Sequence, residues 1–273
     1  MELWSATHAK TLIPSMVVML IVSILLRFLL IKKDLKIRMI PFRILAVIIL
    51  LIEAGKQITS LINGYDLYHL PFHVCSIFIY MLPISAFYKG KYREKVFSIT
   101  SALCCAVFLF LAIYPCLIYS ADNIKNFFNG FFDFHTVAFH NIVVFEFFLI
   151  ITLDLNQPEG KSDLLPIAFF MAVFSIVSAI MAQLLKTNFA NMYSCNIPPL
   201  ESLRLLVQDA WGYVPAQILY VSIVGALHIV FSIGSYYLFV LIKNTVNKLS
   251  GKEKDTYYYL RCARYRSFYD YLD

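Results

Sequence analysis

Residues 12–31 read LIPSMVVMLIVSILLRFLLI, twenty positions with a single charge, Arg27. At about 1.5 Å per residue, a helix of this length matches the ~30 Å hydrocarbon core of a bilayer and has no polar face to turn to water. The run is longer than the apolar region of a secretion signal and lacks a small-residue cleavage site, so it reads as a retained first span. Six more apolar stretches follow, at roughly 41–62, 69–88, 95–119, 132–153, 164–187 and 213–242. Breakers and caps separate them, among them Asn63-Gly64, Lys89-Gly90, Asn129-Gly130, the stretch Asn156 to Gly160, and Pro198-Pro199. The fold class expected is all-α, a polytopic membrane protein of seven transmembrane helices. Residues 1–243 form the seven-helix domain, and residues 244–273 form a basic, Tyr-rich cytoplasmic tail.

Composition points the same way. Of 273 residues, 60% are hydrophobic and only 15% charged, and the mean hydropathy is +0.72. A soluble chain so apolar could not cover its own surface with polar groups, whereas a bilayer removes that requirement. Disordered, collagen-like and nucleic-acid-binding classes are excluded. Six cysteines without CxxC spacing give neither a disulfide framework nor a structural zinc site.

Lysine and arginine orient the spans. With seven crossings, seventeen of the 23 basic residues fall on one side, including Lys32, Lys33, Arg38, Lys89, Arg93, Lys161 and the tail. Only Lys10, Lys125, Lys186 and Arg204 fall on the other, while Arg27 and Lys56 lie inside spans. By the positive-inside rule the N-terminus faces out and the C-terminus in.

Ionisable groups inside spans need a partner or a function. Arg27 is expected to snorkel to the headgroups. Glu53 and Lys56 share one face of span two and neutralise each other. Several helices then place polar groups in the outer half: Lys56 and Gln57 on span two, His69, His73 and Cys75 in the first turns of span three, Asp133, His135 and His140 on span five, and Gln183 and Asn188 at the end of span six. Glu146 and His228 lie deeper, each expected to be satisfied by a neighbouring helix. Within the layer, Cys75 becomes a nucleophile if a base meets it, and His is the base suited to that role. His73 points about 200° away from Cys75 on the same helix, so the base must come across a helix interface, and span five offers His135 and His140. His135 and His140 diverge by about 140°, so one of them at most faces the thiol, and their spacing does not suit a two-His metal site. Otherwise Cys75 is an inert small hydrophobe. A transporter or channel lined by Glu53, Lys56, His140 and Asp209, and a non-catalytic membrane sensor or scaffold, remain open readings.

The run Leu70-Pro71-Phe72-His73-Val74-Cys75-Ser76-Ile77 resembles the signature of YwaF-type bacterial integral membrane proteins, a family related in motif to the mammalian multispanning acyltransferase of ether phospholipids. Further matches follow in order: Tyr114-Pro115, Phe134-His135-Thr136 with Phe139-His140, and Asn188-Phe189 through Met192-Tyr193 and Pro198 to Trp211-Gly212-Tyr213. The chain departs from the pattern at Asn141, where the family has Gly, and at Asp209 to Pro215. The resemblance implies a phospholipid acyltransferase, or a lipid hydrolase, in a bacterial cell membrane. Cys75 and His140 would be catalytic, through an acyl-Cys intermediate, with His73, His135, Lys56, Gln57 and Asn188 in support. Lys56, Gln57 and Asn188 are the candidates to hold the oxyanion. The partners implied are membrane phospholipids and lysophospholipids, with no nucleic acid, cofactor or metal. The sequence leaves the oligomeric state open.

Overall fold

A computed structural model describes residues 4–194 and 198–249. Among them every regular element is helical: α1 (Ala6–Leu30), α2 (Leu35–Arg38), α3 (Ile40–Ile62), α4 (Ile77–Phe87), α5 (Arg93–Ile113), α6 (Ala121–Lys125), α7 (Phe131–Thr152), α8 (Leu164–Leu185), α9 (Pro198–Trp211) and α10 (Tyr213–Leu249). Five helices are long and apolar enough to cross a membrane: α1, α5, α7, the segment Gly160–Leu185 containing α8, and α10. The expected tail lies mostly outside the described residues, and α10 carries its helix past Lys243 to Leu249.

α5 and α7 form the centre, with 67% and 61% of their apolar windows buried against 11% for α1. α7 packs on α1, α3 and α5, while α10 packs on α5, α8 and α9. Ile13, Val17, Leu165, Phe169 and Val173 remain exposed on α1 and α8. Lipid tails are as apolar as these side chains, so the exposure requires no aqueous compensation.

The third expected span differs from its reading. Instead of one helix over 69–88 there is a 3₁₀ turn at Leu67–His69, an extended stretch, a second 3₁₀ turn at Val74–Ser76, and then α4 with 11 residues. Pro71 is the cause: it lacks an N–H, and it drives the preceding Leu70 out of the helical region to φ −61°, ψ 144°. An 11-residue helix is about 16 Å long, half of the hydrocarbon core. α5 likewise stops at Ile113, before the Tyr114-Pro115 step, rather than running to 119. The connection between the expected spans 164–187 and 213–242 contains α9. Its exposed Leu203, Leu206 and Trp211 were hidden from the sequence reading by the charges between them.

The two ends of the bundle are built differently. At one end basic side chains bind backbone carbonyls and buried carboxylates. Arg27 donates to the Thr152 carbonyl at 2.6 Å and Arg38 to that of Leu153 at 2.8 Å, capping the negative end of α7. Arg27 therefore turns inward to a helix terminus, which corrects the expectation that it snorkels. Lys243 pairs with Asp154 at 2.9 Å, and Lys95 with Asp163 at 2.7 Å. The opposite end holds the start of α1, residues 63–76, the connection from α5 to α7, and residues 186–213. His8 ties the start of α1 to the connection from α5 to α7, with Nε2 bonded to the Tyr119 carbonyl at 3.0 Å.

Candidate functional site

Cys75 lies in the non-helical segment that Pro71 creates, held half-buried in the 3₁₀ turn before α4. Freed from a helical register, the segment turns Cys75 toward α7. There the thiol and the His140 imidazole are close enough to act on each other electrostatically. Nε2 of His140 is buried and has no hydrogen-bond partner among the described residues. The other ring nitrogen is committed: Nδ1 lies 2.6 Å from the Thr136 carbonyl one turn back. A carbonyl only accepts, so Nδ1 carries the proton of the neutral ring and Nε2 keeps its lone pair. His140 is thus held in the tautomer of a base for a neighbouring thiol.

His135 takes a separate position. Its Nε2 lies 2.9 Å from Glu53, whose carboxylate also pairs with Lys56 at 2.7 Å and accepts from Gln57 at 2.7 Å. This buried group joins α3 to α7, and the Lys56 ammonium acts through space on the Cys75 thiol and on His135. The ion pair of Glu53 and Lys56 is therefore present, with His135 as a third member.

The remaining residues of the layer are engaged with the protein. The Gln57 amide donates to the His69 carbonyl at 2.9 Å, and its oxygen accepts from Tyr65 at 2.6 Å. The Asn188 side chain accepts from the backbone of Tyr193 and Ser194 at 3.1 and 3.2 Å, shaping the turn after α8. His73 bonds to the Tyr68 carbonyl at 2.9 Å, its ring between Tyr68 and Phe189. Gln183 binds the Met192 carbonyl, and Asp209 is exposed. Of the three oxyanion candidates, Lys56 is the one whose charge bears on the thiol. Deeper in the bundle, His228 meets Ser175 at 3.2 Å, as expected. Glu146 differs: it is fully buried, and among the described residues neither carboxyl oxygen has a hydrogen-bond partner.

Two participants were not singled out from the sequence. Thr136 orients His140, and its i−4 spacing was the available signal. Tyr119 stands with its ring 6.2 Å from that of His140, and nothing in its sequence surroundings marks it. A second Cys–His contact occurs at the same end, between Cys116 and His8 at 3.8 Å. There Nδ1 is already engaged by Ser5 at 2.7 Å, which leaves no free base. Among the described residues no group of three or more His, Cys, Asp or Glu side chains converges as metal ligands would.

Comparison with family models matches the TMEM164 family over residues 3–234, nearly the whole chain. No curated protein and no solved structure matches.

Proposed function

The chain is a membrane protein of the TMEM164 family, and on that premise we propose that it transfers acyl chains between membrane phospholipids, with Cys75 as nucleophile and His140 as general acid and base. The observation that carries this reading is the buried Nε2 of His140, without a hydrogen-bond partner among the described residues, in a ring whose tautomer the Thr136 carbonyl fixes and whose charge is coupled to the Cys75 thiol.

The chemistry follows in two balanced steps. Nε2 takes the Cys75 proton, and the thiolate attacks an ester carbonyl of a phospholipid. The tetrahedral oxyanion forms beside the Lys56 ammonium. Its collapse breaks the ester C–O bond, and the departing lysophospholipid oxygen takes the proton back from Nε2. The acyl group is now a thioester on Cys75. A second lysophospholipid hydroxyl then gives its proton to Nε2 and attacks the thioester, releasing the new phospholipid and the thiol. Dividing one difficult acyl transfer into two is the advantage of a covalent intermediate. Water in place of the second hydroxyl would make the same site a hydrolase.

The test is direct. The chain is reconstituted in vesicles containing a phosphatidylcholine whose acyl chain carries an alkyne, and protein-bound label is read after reaction. The expected result is a hydroxylamine-labile label on Cys75, absent in Cys75→Ala and discharged faster when lysophosphatidylcholine is added. The buried Cys104 and Cys105 should remain unlabelled. Acyl-chain turnover at the wild-type rate in Cys75→Ala would refute the proposal.

We also assign seven crossings, with α3 and the combined 67–87 segment added to the five long helices, the N-terminus outside and the basic end in the cytoplasm of a bacterial cell. The division of basic residues between the two ends supports this orientation. A cysteine placed at Lys10 should react with a membrane-impermeant maleimide in intact cells, and one placed at Lys161 only after permeabilisation. The reverse pattern would invert the assignment.

A further inference from the structure

A groove of about 380 Å³ runs along the outside of the bundle between α1, the residues following α5, and α7. Its size is within the range of small-molecule sites. Met19, Phe127, Phe128 and Ala138 supply much of its apolar wall. The polar side chains that reach it are Thr11, Ser15, Tyr119 and Asn141.

Thr11, Ser15 and Asn141 are already engaged with one another or with backbone. The Thr11 hydroxyl donates to the Thr7 carbonyl at 2.8 Å. Ser15 donates to Asn141 at 2.9 Å, and the Asn141 amide donates to the Val137 carbonyl at 2.8 Å. A phosphate or sugar headgroup would find few unclaimed donors there, and no charged side chain lines the wall. The groove is therefore a hydrocarbon surface, and its outer wall is the mostly exposed helix α1, which faces lipid.

Its position relative to the thiol gives it a use. Tyr119 both lines the groove and stands with its ring 6.2 Å from His140, and Asn141 follows His140 in the chain. We propose that this groove holds the acyl chain of a membrane phospholipid during reaction, entering sideways from the bilayer with its ester end at Tyr119 beside the Cys75–His140 pair. The inference rests on the acyl-transfer reading for its use. Occupancy by a lipid chain can be measured without any chemistry.

The experiment uses the full chain carrying Cys75→Ala in vesicles doped with a phosphatidylcholine whose acyl chain bears a diazirine. After irradiation, crosslinks are expected in the peptides containing Ser15 and Asn141. Ala138→Phe, which fills the groove, should lower that labelling roughly tenfold, on the scale by which apolar pockets discriminate bulk. Thr11→Phe does the same from an exposed position where folding is not at issue. Val173→Phe, on the exposed face of α8, should leave the pattern unchanged. Crosslinks spread evenly over α1 and α8 and indifferent to Ala138→Phe and Thr11→Phe would overturn the inference. Groove-specific crosslinking here, together with no acyl-Cys75 in the wild-type chain, would uphold the groove and remove the acyl-transfer chemistry.

Discussion

His140→Ala is expected to slow acylation of Cys75 by about 10³-fold, within the 10²–10⁴ range typical of a positioned general base. The variant should still fold. The bond lost at Nδ1 goes to a carbonyl of the same helix, and α7 is held by its packing on α1, α3 and α5. His140→Gln separates chemistry from structure. It retains an amide able to donate to Thr136 but offers no basic nitrogen, so it should be as slow as the alanine variant. Imidazole added to His140→Ala should restore part of the rate by occupying the space beside the thiol, with no such gain for His140→Gln. His135→Ala should cost less than about tenfold, because His135 is bonded to Glu53 and acts on Lys56 and His140 through space alone. The measurement is the single-turnover rate of label transfer to Cys75. A His140→Gln variant at the wild-type rate would reduce His140 to a packing residue.

The sequence was informative where one physical effect dominates, and silent where two compete. α1 is legible from 12–31 because an uninterrupted apolar run of that length has no other stable environment. In 69–88 the same hydropathy is present, but Pro71 competes with it, and the backbone follows the proline. That error had a consequence for the site. On a continuous helix the direction of Cys75 is set by its register, whereas in the 3₁₀ turn it is set by the turn. The expectation that the base comes across a helix interface uses the helical register, whereas the coupling of Cys75 to His140 arises from the turn. Polar type was a weaker guide to role. Gln57 and Asn188 share a layer with Lys56, yet both are occupied in holding loops. Which donor a backbone carbonyl will claim depends on where the loops run, and residue spacing along the chain does not encode that. Glu146 and Arg27 show the limit from both sides. The first is buried among helices without a hydrogen-bond partner among the described residues, and the second reaches one that a helix terminus supplies.

Asp163→Ala is expected to have the largest effect on stability, about 3–5 kcal/mol, the range for breaking a buried ion pair by removing one partner. Asp163 is fully buried at the basic end and serves four donors: Lys95 Nζ at 2.7 Å, Ser98 Oγ at 2.8 Å, the Glu159 backbone N–H at 2.7 Å, and the Tyr236 hydroxyl. These donors come from α5, the turn before α8, and α10, so one carboxylate closes the end of three elements that otherwise meet through apolar contact. Each buried donor left without an acceptor costs about 1–3 kcal/mol. Lys95 retains Glu159 and Ser162, and Tyr236 retains the Gly160 carbonyl, which keeps the total below the sum of four separate losses. Asp163→Asn keeps the shape and one acceptor but removes the charge opposite Lys95, so it should lie between the wild type and the alanine variant. In detergent, thermal unfolding of Asp163→Ala should fall by about 10 °C. Below that transition the alkylation rate of Cys75 should be unchanged, because the thiol is at the opposite end of the bundle. Unfolding at the wild-type temperature would mean that apolar packing of α5, α8 and α10 fixes this end without the carboxylate. Loss of Cys75 reactivity in the folded protein would instead mean that the two ends are coupled through α5 and α7.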